Sequence, residues 1–270
     1  MKTLPHITNK QQTLIRLLYR YRFLERKQLQ ALLHHTDKRR VSAWLKDLRE
    51  KQYIKWIYQA DDPIESTKPA IYYLGINGIR LLNAADEYPS EELRKRYTES
   101  SRKRAFIERC LLLADCCLNV ASQSVRNVRF SSVLRAEYIN PDNNYHFLNG
   151  LNPHACFVKR VSTEDDITTT NYLFEVFDGT SPRYQLRKRI KDYVTYIDDG
   201  EWETETGDDQ PPIIQLAFAT KTDLIYAKRR VRRELADLYD EDIPEDVRIL
   251  FATIEQIKKQ GVTGRVWERV

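Results

Sequence analysis

Glycine is scarce in this 270-residue chain, with eight in all, and none of them builds a G-x-x-x-x-G-K-[ST] or G-x-G-x-x-G loop. Average usage is about 7%, and the phosphate-cradling loops that need glycine for close backbone approach are excluded. G-x-S-x-G and H-E-x-x-H are also missing, which removes the commonest hydrolase elbow and zinc-protease signature. The four cysteines, Cys110, Cys116, Cys117 and Cys156, contain no C-x-x-C pair, and three of them share one apolar run. Reduced core thiols are expected rather than a zinc site or a disulfide framework. No window approaches 18 uncharged apolar residues, so no membrane partner is expected. The start, Met1-Lys2-Thr3-Leu4-Pro5-His6, has no apolar h-region, and the expected location is the cytoplasm.

Charge, by contrast, is plentiful and unevenly placed. Residues 1–60 carry 14 Lys/Arg against the four acids Glu25, Asp37, Asp47 and Glu50, while the whole chain is only +5. The first segment is therefore net +10 and the remainder about −5. A basic segment beside an acidic remainder points to a polyanion partner, engaged through phosphates whose counterions are released.

That basic segment reads as a winged helix-turn-helix. Leu14, Ile15, Leu17, Leu18 and Tyr21 fall on one stripe of a helix over 9–21, and a short second helix covers 25–33. His34-His35-Thr36-Asp37 makes a tight connection in which Thr36 or Asp37 caps the third helix, 38–51. Adjacent histidines on a turn point apart and lack a third ligand, so they read as turn and phosphate-contact residues. The third helix turns Val41, Trp44, Leu45 and Leu48 inward and leaves Lys38, Arg39, Arg40, Ser42 and Lys46 outside. Tyr53 to Tyr58 and Ala70 to Leu74 alternate like the strands of a wing hairpin, joined by the polar stretch 59–69. The reading places Lys38, Arg39, Arg40, Ser42 and Lys46 at the major groove of double-stranded DNA, with Lys55 and Lys68 near its backbone. The alternatives are a solvated basic face and a winged helix that binds protein.

Residues 1–86 are thus expected to be one domain, 87–104 a charged helical linker, and 105–270 a second domain. Ala105 to Ala121 reads as a buried helix, followed by strands at 125–134, 155–161 and 171–177, a helix 183–197, a strand 213–219, a helix 222–239 and a strand 248–254. That order fits an α/β domain, giving a two-domain α+β chain. The basic run Lys228, Arg229, Arg230, Arg232 and Arg233 reads as a solvated helix face, with a second nucleic-acid surface as the alternative.

The acids of the second domain can be tested as metal ligands. Carboxylates at the ends of neighbouring strands hold Mg²⁺ or Mn²⁺ and activate water against a phosphodiester, with a lysine to stabilise developing charge. A restriction-endonuclease-like nuclease needs Pro-Asp followed by Asp/Glu-x-Lys. Here His154 stands in Asn152-Pro153-His154 where the aspartate would be, and Phe177 in Glu175-Val176-Phe177 where the lysine would be. Glu175, His154, Asp142 and Asp178 are the candidate metal ligands, and Glu175, Lys188 and Lys191 the candidate catalytic residues. A complete metal site is not expected.

The runs Leu14 to Leu24, Gln28-Leu29, Arg39-Arg40-Val41 through Leu48, Tyr72 to Gly78, Phe174 to Thr180 and Leu186 to Tyr193 together resemble the replication-relaxation family of plasmid and mobile-element proteins, related to MOBC-type mobilisation relaxases. The resemblance implies a winged helix fused to a restriction-endonuclease-like domain and a role in initiating replication or transfer. The family pattern has Arg-Pro-Asp-Ala, Glu-x-Asp and a lysine four residues before a tyrosine. This chain has Asn152-Pro153-His154-Ala155, Glu175-Val176-Phe177 and Arg189 before Tyr193. The expected function is DNA binding for replication or mobilisation, with replication or conjugation proteins or a second copy as further partners. The alternatives are an active Mg²⁺-dependent nickase or relaxase, and a winged-helix transcription regulator.

Overall fold

The computed structural model describes residues 3–58, 67–164, 166–180, 182–239, 244–245 and 247–269. They form two compact units, Met1–Leu118 and Asn119–Val270. The chain is mixed α and β throughout, with a three-stranded and a six-stranded sheet.

The first unit opens with α1 (Asn9–Tyr21), capped by Thr8, whose side chain accepts from the Gln11 amide while Gln11 reaches back to the Thr8 amide. This reciprocal pair satisfies two of the amides a helix start leaves open. The short β1 (Leu24–Glu25), then α2 (Arg26–Leu32) and α3 (Lys38–Glu50), complete the helical layer. β2 (Ile54–Ile57) and β3 (Ile71–Leu74) pair antiparallel, Ile54 opposite Leu74 and Trp56 opposite Tyr72, and β1 joins the far side of β3. Most of the expected connection between the strands, 59–66, lies outside the described residues. Leu14, Ile15, Leu18, Leu24, Val41, Leu45, Leu48 and Ile54 are buried and form this unit's core.

α4 (Ile76–Ala84) follows β3, then α5 (Ser90–Lys95) and a 3-10 turn, Arg96–Ser101. Residues 87–104, read from sequence as a solvated linker, bury Leu93, Arg96 and Glu99. The charges themselves explain this. Arg22 donates to both carboxylate oxygens of Glu99 at 2.8 and 2.9 Å, and Arg96 and Arg102 lie at 3.6 and 3.4 Å, so the buried acid has three cationic partners. The long α6 (Arg104–Ser122) places Ile107 and Cys110 against Phe23, Ile71 and Tyr73, on the sheet face that Lys55 shares. Gln28 ties α2 to it, donating to the Leu111 carbonyl at 2.9 Å and to Asp115 at 2.7 Å. The central strand β3 is covered on both faces, while Lys55 and Trp56 of β2 are exposed.

The second unit is built on β4 (Val128–Leu134), β5 (Ala155–Ser162), β6 (Ile167–Phe177), β7 (Ile213–Phe218), β8 (Ile249–Thr253) and β9 (Glu268–Arg269), in that spatial order. β4, β5 and β6 are antiparallel, β6, β7 and β8 parallel, and β9 antiparallel. α7 (Arg135–Tyr138) and α8 (Leu148–Leu151) follow β4, α9 (Arg183–Asp198) and α10 (Glu201–Thr206) follow β6, α11 (Lys221–Tyr239) follows β7, and α12 (Ile254–Gln260) follows β8. A parallel pair needs a crossover, and the two crossover helices lie on one face. Leu186, Ile190 and Tyr193 of α9 and Leu224, Val231 and Leu235 of α11 share a core with Leu173, Phe177, Leu216, Phe218 and Phe251. The central strands are buried on both sides, which is why β7 reads as the continuous run Ile213-Ile214-Gln215-Leu216-Ala217-Phe218. No helix of the described residues is long and apolar enough to cross a membrane.

Candidate functional site

Two places gather the residues singled out from sequence, one in each unit. In the first, α3 begins at Asp37, whose carboxylate accepts from the amides of Arg39 at 2.8 Å and Arg40 at 3.2 Å. Its extended backbone and side-chain acceptor end the turn made by His34 (φ 49°) and His35. His35 Nδ1 accepts from the Asp37 amide at 3.1 Å and its ring stands edge-on to Trp44, so the histidine pair serves the turn.

Val41, Leu45 and Leu48 are buried at the inner face, which leaves Lys38, Arg39, Arg40, Ser42 and Lys46 exposed on the outer one. Lys46 lies 3.9 Å from Glu50, a surface pairing of small worth. Lys38, Arg39 and Arg40 make no ion pair with a described residue. Lys55 is exposed on β2, on the same short strand as Trp56, whose ring lies 3.6 Å beneath the Arg49 guanidinium. Lys68 is exposed ahead of β3. The structure thus brings Lys38, Arg39, Arg40, Ser42 and Lys46 together on one helix, and sets Lys55 and Lys68 on the two arms of the hairpin.

In the second unit Glu175 is 6% exposed on β6, on the face toward α9. A carboxylate there is costly unless partnered, and the partners come from α9. Tyr193 donates to its Oε2 at 2.6 Å and Arg189 donates to the same oxygen at 2.7 Å. Arg189 also donates to the Leu151 and Asn152 carbonyls, at 2.6 and 3.4 Å, and so fastens the end of α8 to the site. Tyr138 donates to the Pro153 carbonyl. Asn152 holds its backbone at φ 54°, which turns the chain from α8 into β5 and presents these carbonyls to the guanidinium.

His154 Nδ1 accepts from the Val176 amide at 3.0 Å and lies 3.4 Å from Glu175 Oε1. One nitrogen cannot accept from the amide and donate to the carboxylate at once, and the shorter contact is the one to the amide. Burial pushes the Glu175 pKa up. Attraction to His154 and Arg189, with the hydrogen bonds from Arg189 and Tyr193, outweighs that and holds it below the ordinary carboxylate value. By the geometry of Nδ1, Arg189 and Tyr193 carry most of this. Burial and the Glu175 charge together push the Tyr193 phenol well above its usual range, so it is a hydrogen-bond donor and a poor nucleophile.

The other candidates lie elsewhere. Phe177 is 8% exposed and stacks on Phe218 at 5.1 Å, which in turn stacks on Phe251 at 6.2 Å. Asp178 accepts from the Thr180 amide and hydroxyl in a local turn, whose next residue, Ser181, lies outside the described residues. Asp142 is exposed in the turn after α7. Lys188 and Lys191 face solvent on α9, flanking the inward Arg189. Among the described residues no three His, Cys, Asp or Glu side chains converge on a point where a metal ion could sit. The donor set around Glu175 does not fit Mg²⁺ or Mn²⁺: its neighbours are a guanidinium and a phenol that donate, and an imidazole nitrogen already engaged.

Arg189 and Tyr193 are the residues that sequence reasoning left out of the site. The signal was present, because Leu186, Ile190, Tyr193 and Val194 define the inward stripe of α9 and Arg189 sits on its border, one turn from Tyr193.

Comparison with curated proteins gives no match. The model of one family, described as Replication-relaxation, matches residues 15–209, which takes in the second half of α1, all of α2 and α3, both arms of the hairpin, Glu175, Arg189 and Tyr193. The chain belongs to the replication-relaxation family.

Proposed function

We propose that the protein binds duplex DNA of a plasmid or other mobile element at the initiation of replication or transfer. In this reading α1–α3 with β2 and β3 form a winged helix whose third helix enters the major groove, within a domain of residues 1–86. The second unit, 119–270, is a restriction-endonuclease-like scaffold that no longer cuts. The observation that carries the reading is the outer face of α3, where Lys38, Arg39 and Arg40 are exposed and make no ion pair with a described residue, in the most basic segment of the chain. Cations left unpaired in this way are available to phosphates and base edges, and helix three of a winged helix is the element that meets them. The family's place in replication supports the same reading. The scaffold role is supported by the guanidinium and phenol that close around Glu175.

The test is a mobility shift on supercoiled cognate-element plasmid and on linear duplex, beside incubation of the same plasmid with Mg²⁺ or Mn²⁺. A shift without open circles, lost in the double variant R39E/R40E at unchanged thermal stability, is the expected result. Unchanged affinity in R39E/R40E would remove α3 as the contact. Metal-dependent open circles that vanish in Glu175→Gln would make the protein a nickase.

A further inference from the structure

We infer that the paired outer faces of α9 and α11 form a second surface for the backbone phosphates of duplex DNA, an inference that rests on the DNA-binding reading above but on different residues. Residues 119–270 hold 21 Lys/Arg and 25 Asp/Glu, so the unit as a whole is acidic. Yet 11 of those cations and only five of the acids lie on α9 and α11. The acids gather elsewhere: 199–209 carries six, with no Lys or Arg among them. Such separation produces a local positive field on a molecule half that repels polyanions overall.

The fold makes the two helices one surface. Both connect parallel neighbours, β6 to β7 and β7 to β8, so they run in the same direction, and both bury their inner rows in the same core. Arg183 of α9 lies over the Tyr226 ring of α11 at 5.0 Å, which fixes them side by side. The outward rows are Arg187, Lys188 and Lys191 on one helix and Arg229 and Arg232 on the other, all exposed and none in an ion pair with a described residue. Neighbouring cations on α11 are answered within the protein: Lys228 by Glu268 at 2.7 Å, Arg230 by Glu234 at 2.6 Å and Arg233 by Asp237 at 3.8 Å. Pairing of that kind keeps a solvated helix face neutral. The five unpaired cations form a band across both helices instead. Arg187 to Lys191 spans about 6 Å of helix axis, enough to meet more than one phosphate of a strand that carries one per about 3.4 Å of duplex. Backbone contacts of this sort add affinity without sequence preference.

The experiment uses the full chain and a fluorescein-labelled duplex of arbitrary sequence, titrated by anisotropy over a series of KCl concentrations. In the quadruple variant K188E/K191E/R229E/R232E affinity at about 0.15 M salt is expected to fall at least about tenfold, and the slope of log K against log salt to drop by about three to four. The glutamine version of the same set retains part of the binding, and equal urea midpoints show that the fold is kept. Unchanged affinity and slope overturn the inference. So does unchanged affinity with loss of self-association in sedimentation, which would assign the face to the acidic turn of a second copy. The two readings separate cleanly. Binding lost in R39E/R40E but not in the quadruple variant leaves α3 and removes this surface, and the converse leaves this surface and removes α3.

Discussion

The guanidinium of Arg189 and the carboxylate of Glu175, 2.7 Å apart, join a buried strand to the helix that covers it. A metal-dependent nuclease would leave such a carboxylate open to a cation that comes from solvent. Here the cation is a side chain of the next element, and the two backbone carbonyls it also holds, Leu151 and Asn152, belong to the segment that would carry the other ligand. The contacts that occupy the Glu175 carboxylate also tie the strand, α8 and α9 together.

Glu175→Gln is therefore expected to act on stability. Removing one partner of a buried ion pair leaves the other unpaired, at about 3–5 kcal/mol, which urea unfolding at pH 7 measures. Replacing Arg189 as well, in Glu175→Gln/Arg189→Met, should recover part of the loss. The pH dependence has a definite sign. The folded-state pKa of Glu175 lies below the ordinary value, so the unfolded chain binds more protons there and stability rises with pH. The contribution is complete above the unfolded value of about 4.3 and is lost as pH falls through the folded one. Wild type should lose stability between pH 5 and lower values more steeply than the glutamine variant. Equal slopes, or a variant as stable as wild type, would show that the pair is not what holds α9 to β6.

Glu99 makes a second contrast between buried and exposed charge. It is 1% exposed and takes a two-pronged contact from Arg22, whereas Glu87 makes an equally short contact with Arg16 with both side chains more than 40% exposed. Glu99→Gln is expected to cost about 3–5 kcal/mol, and Glu87→Gln less than about 1 kcal/mol. Chemical denaturation of the two variants decides it, and similar losses would mean that burial is not the controlling variable.

Gly78 lies within α4, where helix propensity alone favours alanine by about 1 kcal/mol. The structure reverses that sign. A Cβ at this position would stand 2.4 Å from the Tyr53 carbonyl oxygen and 3.2 Å from the Leu74 side chain, because α4 packs its backbone directly on the turn into β2. Gly78→Ala should lower stability by about 1–3 kcal/mol. Gly150→Ala, on α8 with nothing within 4 Å of the added carbon, should be neutral or stabilising. Thermal unfolding of both reports the difference, and a Gly78→Ala protein as stable as wild type would contradict the close approach.

Much of the architecture was legible because the signals were local and periodic. The stripe Leu14, Ile15, Leu18, Tyr21 gives α1 its observed bounds, Asn9–Tyr21, and the strands and two long helices from 128 to 253 come in the order read, while the short helices α7, α8 and α10 are additions. Elements specified by distant partners were not. β1 is two residues, Leu24–Glu25, that become a strand only because Ile71 and Tyr72 lie beside them, and β9 depends on Leu250 and Phe251 in the same way. The charges of 87–104 look solvated in sequence, since nothing there shows that Arg22 will arrive to pair with Glu99. At the carboxylate site the strand residue Glu175 was found by motif. Lys188 and Lys191 were preferred over Arg189 for their chemistry, whereas the helical period places Arg189, and not the lysines, on the inner side.

Phe177 shows why restoring a ligand would not restore a site. The family pattern asks for aspartate two residues after the glutamate, and Phe177→Asp supplies it in sequence. In the fold that position belongs to a ladder of rings, Phe177 on Phe218 on Phe251, across three adjacent strands. An aspartate there would lose the buried ring, worth about 3–5 kcal/mol when truncated, and would place a second carboxylate in the apolar layer beneath α9 and α11. Arg189 is already committed to Glu175, so the new charge has no cation to meet. Phe177→Asp is expected to unfold at a lower urea concentration than wild type by at least that amount, or not to fold, and to gain no Mg²⁺- or Mn²⁺-dependent nicking. Phe177→Leu, which keeps an apolar group, should keep most of the stability. A folded Phe177→Asp protein that nicks supercoiled plasmid would mean that the ring ladder can open and that the carboxylate layer is still a working one.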